Sequence, residues 1–164
     1  MTPPVRILTT GGTFDKVHDW RGEQLAFAGE GVSEVPTVLA HGRCDWPFIE
    51  HVFQLDSLDM TDDDRTVIAA RCAAAPEDRL VVTHGTSTMA ETARYLADRS
   101  LPKTIVLTGA MRPHSLYVSD AGFNLGGALV AAQALDRGVY AVMNGRVFAA
   151  DAVAKNEELG RFDA

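Results

Sequence analysis

The chain has 164 residues, of which 46% are hydrophobic, with a net charge of -7 and two cysteines. That length and apolar content suit a single domain over residues 1–164 with a sizeable core, and exclude a globally disordered chain. The acidic balance leaves no basic stripe to neutralise phosphates, which argues against a nucleic-acid partner.

Residues 5–10, Val-Arg-Ile-Leu-Thr-Thr, form a short β-branched run closed by Gly11-Gly12, and predict a buried strand ending in a tight turn. Residues 14–32 are polar and glycine-containing and read as one long loop. A short helix is expected over 33–42 with Ser33 as N-cap, then a strand from Phe48 to Leu55. Asp62, Asp63 and Asp64 suit the positive end of a helix running to Ala75. Residues 80–83 give a third strand. Thr88-x-x-Glu91 predicts a capping box opening a helix to about Asp98. A fourth strand spans 103–108, an alanine- and leucine-rich helix 120–135, and a fifth strand 138–143. Asn144-Gly145 signals a hairpin into Arg146-Val147-Phe148.

Strands alternating with helices predict an α/β fold, three-layered and Rossmann- or flavodoxin-like: a mainly parallel sheet with helices on both faces. In such sheets the loops beyond the strands' carboxyl ends gather at one edge and build the ligand site. Three of these loops share small residues and, in two of them, hydroxyls: Thr10-Gly11-Gly12-Thr13, His84-Gly85-Thr86-Ser87-Thr88 and Gly109-Ala110-Met111-Arg112-Pro113. Two glycines allow a sharp turn and a close approach to a ligand, and Thr13 would project from the end of the first strand. Neither GxGxxG nor GxxxxGK[ST] is present, so a phosphate loop is not supported. Backbone N–H groups at a helix start, as at 84–88, can hold an oxyanion.

Thr-Gly-Gly-Thr after the first strand, His-Gly-Thr-x-Thr-Met-x-Glu-Thr after the third, and Gly-Ala-Met-Arg-Pro with Ser119-Asp120 and Phe123-Asn124-Leu125 after the fourth resemble the bacterial-type L-asparaginases. Asp56-Ser57-Leu58-Asp59-Met60 and Met143-Asn144-Gly145-Arg146-Val147-Phe148 look like two further blocks of that family, so the resemblance covers nearly the whole chain in order. It implies that Thr13 is a first nucleophilic threonine and Thr86 a second, served by Lys155 as base. It further implies that Ser57 meets a substrate carboxylate, that Ala110 meets the amide through its backbone, and that Gly12, Gly85 and Ser87 border the substrate. A threonine hydroxyl needs a base to take its proton, and a lysine can be that base when burial or nearby positive charge lowers its pKa. The N–H groups of Thr13 and Thr86 are the expected oxyanion donors.

The chain departs from the family pattern in two places. Ser87 stands where the family has an aspartate that supports the lysine and holds the substrate's α-ammonium, and Leu58 replaces a glutamine. Losing one charge-assisted hydrogen bond lowers affinity by about 10- to 150-fold, so weakened activity on free asparagine is expected. Asp56 is the candidate to take over the ammonium. The chain resembles the short, single-domain branch, without the second domain of longer members.

The expected activity is hydrolysis of L-asparagine to aspartate and ammonia. The alternatives are a weak or inactive relative that binds a small amino acid, and an amidase for another amide. No cofactor and no metal are implied: the histidines at 18, 41, 51, 84 and 114 form no HxxxH pair. Without a signal-like start or an apolar run near 18 residues, a cytoplasmic protein with no membrane partner is expected. The resemblance implies a homo-oligomer, dimer or tetramer.

Overall fold

The structure, a computed structural model, describes residues 3–163. In chain order it contains β1 (Val5–Gly11), β2 (Lys16–Asp19), β3 (Gln24–Phe27), α1 (Val35–His41), β4 (Phe48–Leu55), α2 (Asp62–Ala74), β5 (Arg79–Thr83) and α3 (Met89–Ala97). There follow β6 (Thr104–Thr108), α4 (Ala121–Ala134), β7 (Gly138–Met143), β8 (Arg146–Ala149), β9 (Lys155–Asn156) and β10 (Arg161–Phe162). Single 3-10 turns lie at Thr13–Asp15 and His114–Leu116.

Six strands form one sheet in the order β4-β1-β5-β6-β7-β8, parallel except for the antiparallel edge strand β8. Side chains alternate across it because successive strand residues face opposite sides. Leu80 and Val82 enter the core shared with α2 and α3, while Val81 enters the core shared with α1 and α4. The three layers and the fold class therefore match the expectation from the sequence. Among the described residues no helix is long and apolar enough to cross a membrane.

The strand order reverses beside β1: the chain steps from β1 outward to β4, then returns to β5 on β1's other side. Such a switch point opens a crevice beyond the carboxyl ends of the two strands between which the direction changes. Here those strands are β1 and β5, whose ends carry Thr13 and Thr86.

Several local expectations are corrected. Residues 14–32 are not one loop. β2 and β3 pair there as an antiparallel hairpin, Lys16 opposite Phe27 and Asp19 opposite Gln24. α1 begins at Val35 with Glu34 at its N-cap. Ser33 sits one residue earlier, accepting from the Val35 N–H while donating to Asp15. No capping box opens α3: the Thr88 hydroxyl donates to the Ser57 carbonyl at 2.8 Å and Glu91 pairs with Arg65. Tertiary partners outcompete the local bond there, and the capping box appears instead at Thr61 and Asp64, opening α2. The Asn144-Gly145 hairpin forms as read, with φ of 53° and 74°, suiting a two-residue turn with both central residues left-handed.

Candidate active site

Three turns interlock at the carboxyl edge. Gly12 donates its N–H to the Leu55 carbonyl at 2.9 Å, tying the β1 turn to the β4 turn. Gly12 has φ 79°, and a Cβ placed on it would lie 2.5 Å from the Gly85 nitrogen. A Cβ on Gly85 would in turn collide with the Ser57 side chain. Glycine is thus required at both positions because backbone meets backbone or a buried serine. Thr13, Ser57 and Thr86 are carried on these three abutting turns. Among the described residues, no hydrogen bond within the chain engages any of their hydroxyls, whereas Thr10 donates to the Thr83 carbonyl and Thr108 to the Val142 carbonyl.

His84 aims the turn that holds Thr86. It is fully buried, and burial lowers its pKa to about 4, so the ring is neutral. A carbonyl only accepts, so the 2.7 Å contact with Gly85 O assigns the proton to Nδ1. Nε2 then accepts from Thr92 Oγ1 at 2.8 Å, and Thr92 accepts from Arg65 Nε at 3.2 Å. Met60 Sδ also lies 3.1 Å from Nε2. Because the Gly85 carbonyl faces His84, and no peptide among the described residues is cis, the Thr86 N–H points the opposite way, off the core. The buried side-chain polar atom left without a partner among the described residues is Thr83 Oγ1, one residue before His84.

The remaining candidate residues divide. Ala110 is buried beside this edge, and its loop is held by Asp120, which accepts from the Met111 and Arg112 N–H groups. Ser87 is exposed, the first residue past Thr86 to reach solvent. Asp56 is not free. One carboxylate oxygen is paired with Lys16 Nζ and the other accepts from the Leu58 N–H at 3.0 Å, which holds its pKa below the usual carboxylate range. Lys155 faces Glu157 at 3.7 Å and borders an open concavity with Asn156, Glu158 and Asp163. No hydrogen bond joins it to Thr13 or Thr86 among the described residues.

Three features escaped the reading of the sequence. Lys16 neutralises Asp56 across 40 positions, which no local spacing signals. Asp15 is buried under α1, where Ser33 and the Glu34 N–H donate to it; burial still pushes its pKa up to about 6. The third feature is an amide relay. Asn124 donates to the Gly109 carbonyl and accepts from the Asn144 N–H, while the Asn144 side chain accepts from the Phe162 N–H at 2.8 Å. Phe162 is the register partner of Lys155, so the relay runs from the Ala110 loop to the lysine's hairpin. Both asparagines stand in the quoted motifs, but only the fold reveals the link. Among the described residues no group of three or more His, Cys, Asp or Glu is placed to hold a metal.

The family model for the asparaginase N-terminal domain matches residues 4–163. This chain belongs to the asparaginase family. It is 34% identical to L-asparaginase 2 of Escherichia coli over 155 residues, 88% of this chain and 44% of that protein. The thermostable L-asparaginase from Thermococcus kodakarensis superposes with a TM-score of 0.83 at 29% identity, over 98% of this chain and 51% of that one. L-asparaginase I from Vibrio cholerae gives 0.84 at 26%, over 99% and 51%. The chain spans about half the length of the curated relatives it matches.

Proposed function

We propose that this protein hydrolyses the side-chain amide of L-asparagine, giving L-aspartate and ammonia through an acyl-threonine intermediate. The observation that carries the reading is the contact between the Gly12 and Gly85 turns at the β1/β5 switch point, which brings the carriers of two uncommitted threonine hydroxyls together. Thr13 attacks the amide carbon, and the outward Thr86 N–H donates to the oxyanion as charge develops. Ser57 Oγ and the Ala110 backbone position the carboxylate and the amide. Lys155, the candidate base, takes up through the second hydroxyl, Thr86, the proton that Thr13 loses and returns it to the departing nitrogen as ammonia leaves; water then hydrolyses the acyl-threonine to L-aspartate.

Support for Lys155 comes from the amide relay, which tethers its hairpin through Asn144 and Asn124 to the Gly109 carbonyl. Lys155→Ala should lower kcat with little change in KM, and Lys155→Arg should not restore it, because a guanidinium cannot take up a proton. An ammonia-release assay on wild type and Thr13→Ala tests the reading; equal rates would refute it.

The same reading makes the protein a cytoplasmic homo-oligomer, a dimer or tetramer. The first point is in keeping with two free cysteines. The second is supported by α4, whose outward Phe123 and Val130 are exposed beside Gly122 and Gly126. Sedimentation of the wild type and of Val130→Glu measures it.

A further inference from the structure

We propose that the site selects a dicarboxylic-acid monoamide by its carboxylate and amide, without requiring an α-ammonium, so that succinamate-like amides are substrates alongside asparagine. This deepens, and rests on, the hydrolytic reading above.

Negative charge around the three interlocked turns is already engaged or screened. Each nearby carboxylate is bonded within the fold, buried beneath a helix or in open solvent. Asp56 gives one oxygen to Lys16 and the other to the Leu58 N–H. Asp15 accepts from Ser33 and the Glu34 N–H through Oδ1 alone, and its carboxylate is buried beneath α1, 2% exposed. Asp120 holds the Met111 and Arg112 N–H groups and the Asn124 amide. Glu91 pairs with Arg65. Asp59 is exposed, as is Glu157 beside Lys155, and water screens both. Position 87, which follows Thr86 and faces solvent, is a neutral serine.

The neutral donors are, by contrast, uncommitted. The Ser57, Thr13 and Thr86 hydroxyls and the Thr86 N–H have no acceptor within the chain among the described residues. Donors of this kind suit a carboxylate and a polarised carbonyl. An ammonium needs an acceptor, and moving it out of water without a counter-charge is unfavourable. A site with free donors and no accessible unpaired anion therefore reads two of asparagine's three polar groups.

The test compares kcat/KM for L-asparagine and for succinamate, the same skeleton without the ammonium, in wild type, Ser87→Asp and Asp59→Asn. Calorimetry with L-aspartate and succinate runs alongside. The wild type is expected to treat the two amides within about fivefold. Ser87→Asp should shift the ratio toward asparagine by tenfold or more, as a charge-assisted bond is gained. Asp59→Asn should leave the ratio unchanged. A wild-type preference for asparagine above about 50-fold overturns the proposal, as does a ratio that collapses in Asp59→Asn. If neither amide turns over, the hydrolytic reading fails. The ligand class is then decided by binding: similar affinities for the two diacids support it, and aspartate alone, or neither, refutes it.

Discussion

The two edges of the sheet are built on opposite plans. At the amino edge a concavity of about 700 Å3 is lined by Pro3, Pro76, Asp78, Arg79, Thr104 and Arg137, among others. Its buried and half-buried charges answer one another or the backbone, with Arg6 bound to Glu77 at 2.6 Å, Arg79 to the Ala132 and Leu135 carbonyls, and Lys103 to the Ala75 and Glu77 carbonyls, while Asp78 and Arg137 stand in solvent. At the carboxyl edge, by contrast, glycines abut and the Thr13, Ser57 and Thr86 hydroxyls are unspent. Space alone does not make a site. What marks one is polar capacity left over after the fold has satisfied itself.

The strongest way to break this contrast is Thr13→Ala. Removing the proposed nucleophile should cut ammonia release by about 10^3-fold or more while the melting temperature barely moves. Next is Gly12→Ala, whose Cβ would force the two turns apart. A displacement near 1 Å at the reacting groups should lower kcat/KM by about 100-fold, and crystallography of the variant would show the widened gap. At the amino edge Glu77→Gln should do the reverse. Loss of the part-buried pair with Arg6 should cost about 1–2 kcal/mol in urea unfolding, with kcat/KM unchanged.

The smallest effect is in pH. Burial raises Asp15 to about 6 from 3.8, so its ionisation costs stability as pH rises from about 4 to 6. Burial lowers His84 to about 4 from 6.5, so stability is complete above 6.5 and is lost as pH falls toward 4. The two slopes oppose each other, and the wild-type profile over this window should be nearly flat. Asp15→Asn should unmask the histidine, giving urea midpoints that climb from pH 4 to 6.5. At the amino edge Arg6 depresses Glu77 below 4.5, so that pair's contribution is full above 4.5 and fades only at lower pH.

Long-period patterns survived the passage from sequence to structure, and pairings between distant residues did not. The alternation of strands and helices and the left-handed Asn144-Gly145 turn were legible because their causes are local. The candidate residues on the three turns were legible because they lie in contiguous motifs. The Lys16–Asp56 pair was not, since it depends on how the β2–β3 hairpin folds back over the β4 turn. The Thr88 capping box failed for the same reason: a carbonyl 31 positions away took the hydroxyl. The tie from Asn124 to Phe162 crosses three elements, so neither asparagine's role has a signature in its neighbours.

That tie has a consequence for how the chain matures. The Phe162 amide docks on the side chain of Asn144, whose backbone N–H Asn124 holds once α4 and the β7–β8 turn have met. Both threonine turns belong to earlier elements and can be in place while the strand bearing Lys155 is still unmoored. A partly assembled molecule would thus display its hydroxyls without an amine beside the relay, and the proposed turnover would report that the last hairpin has latched.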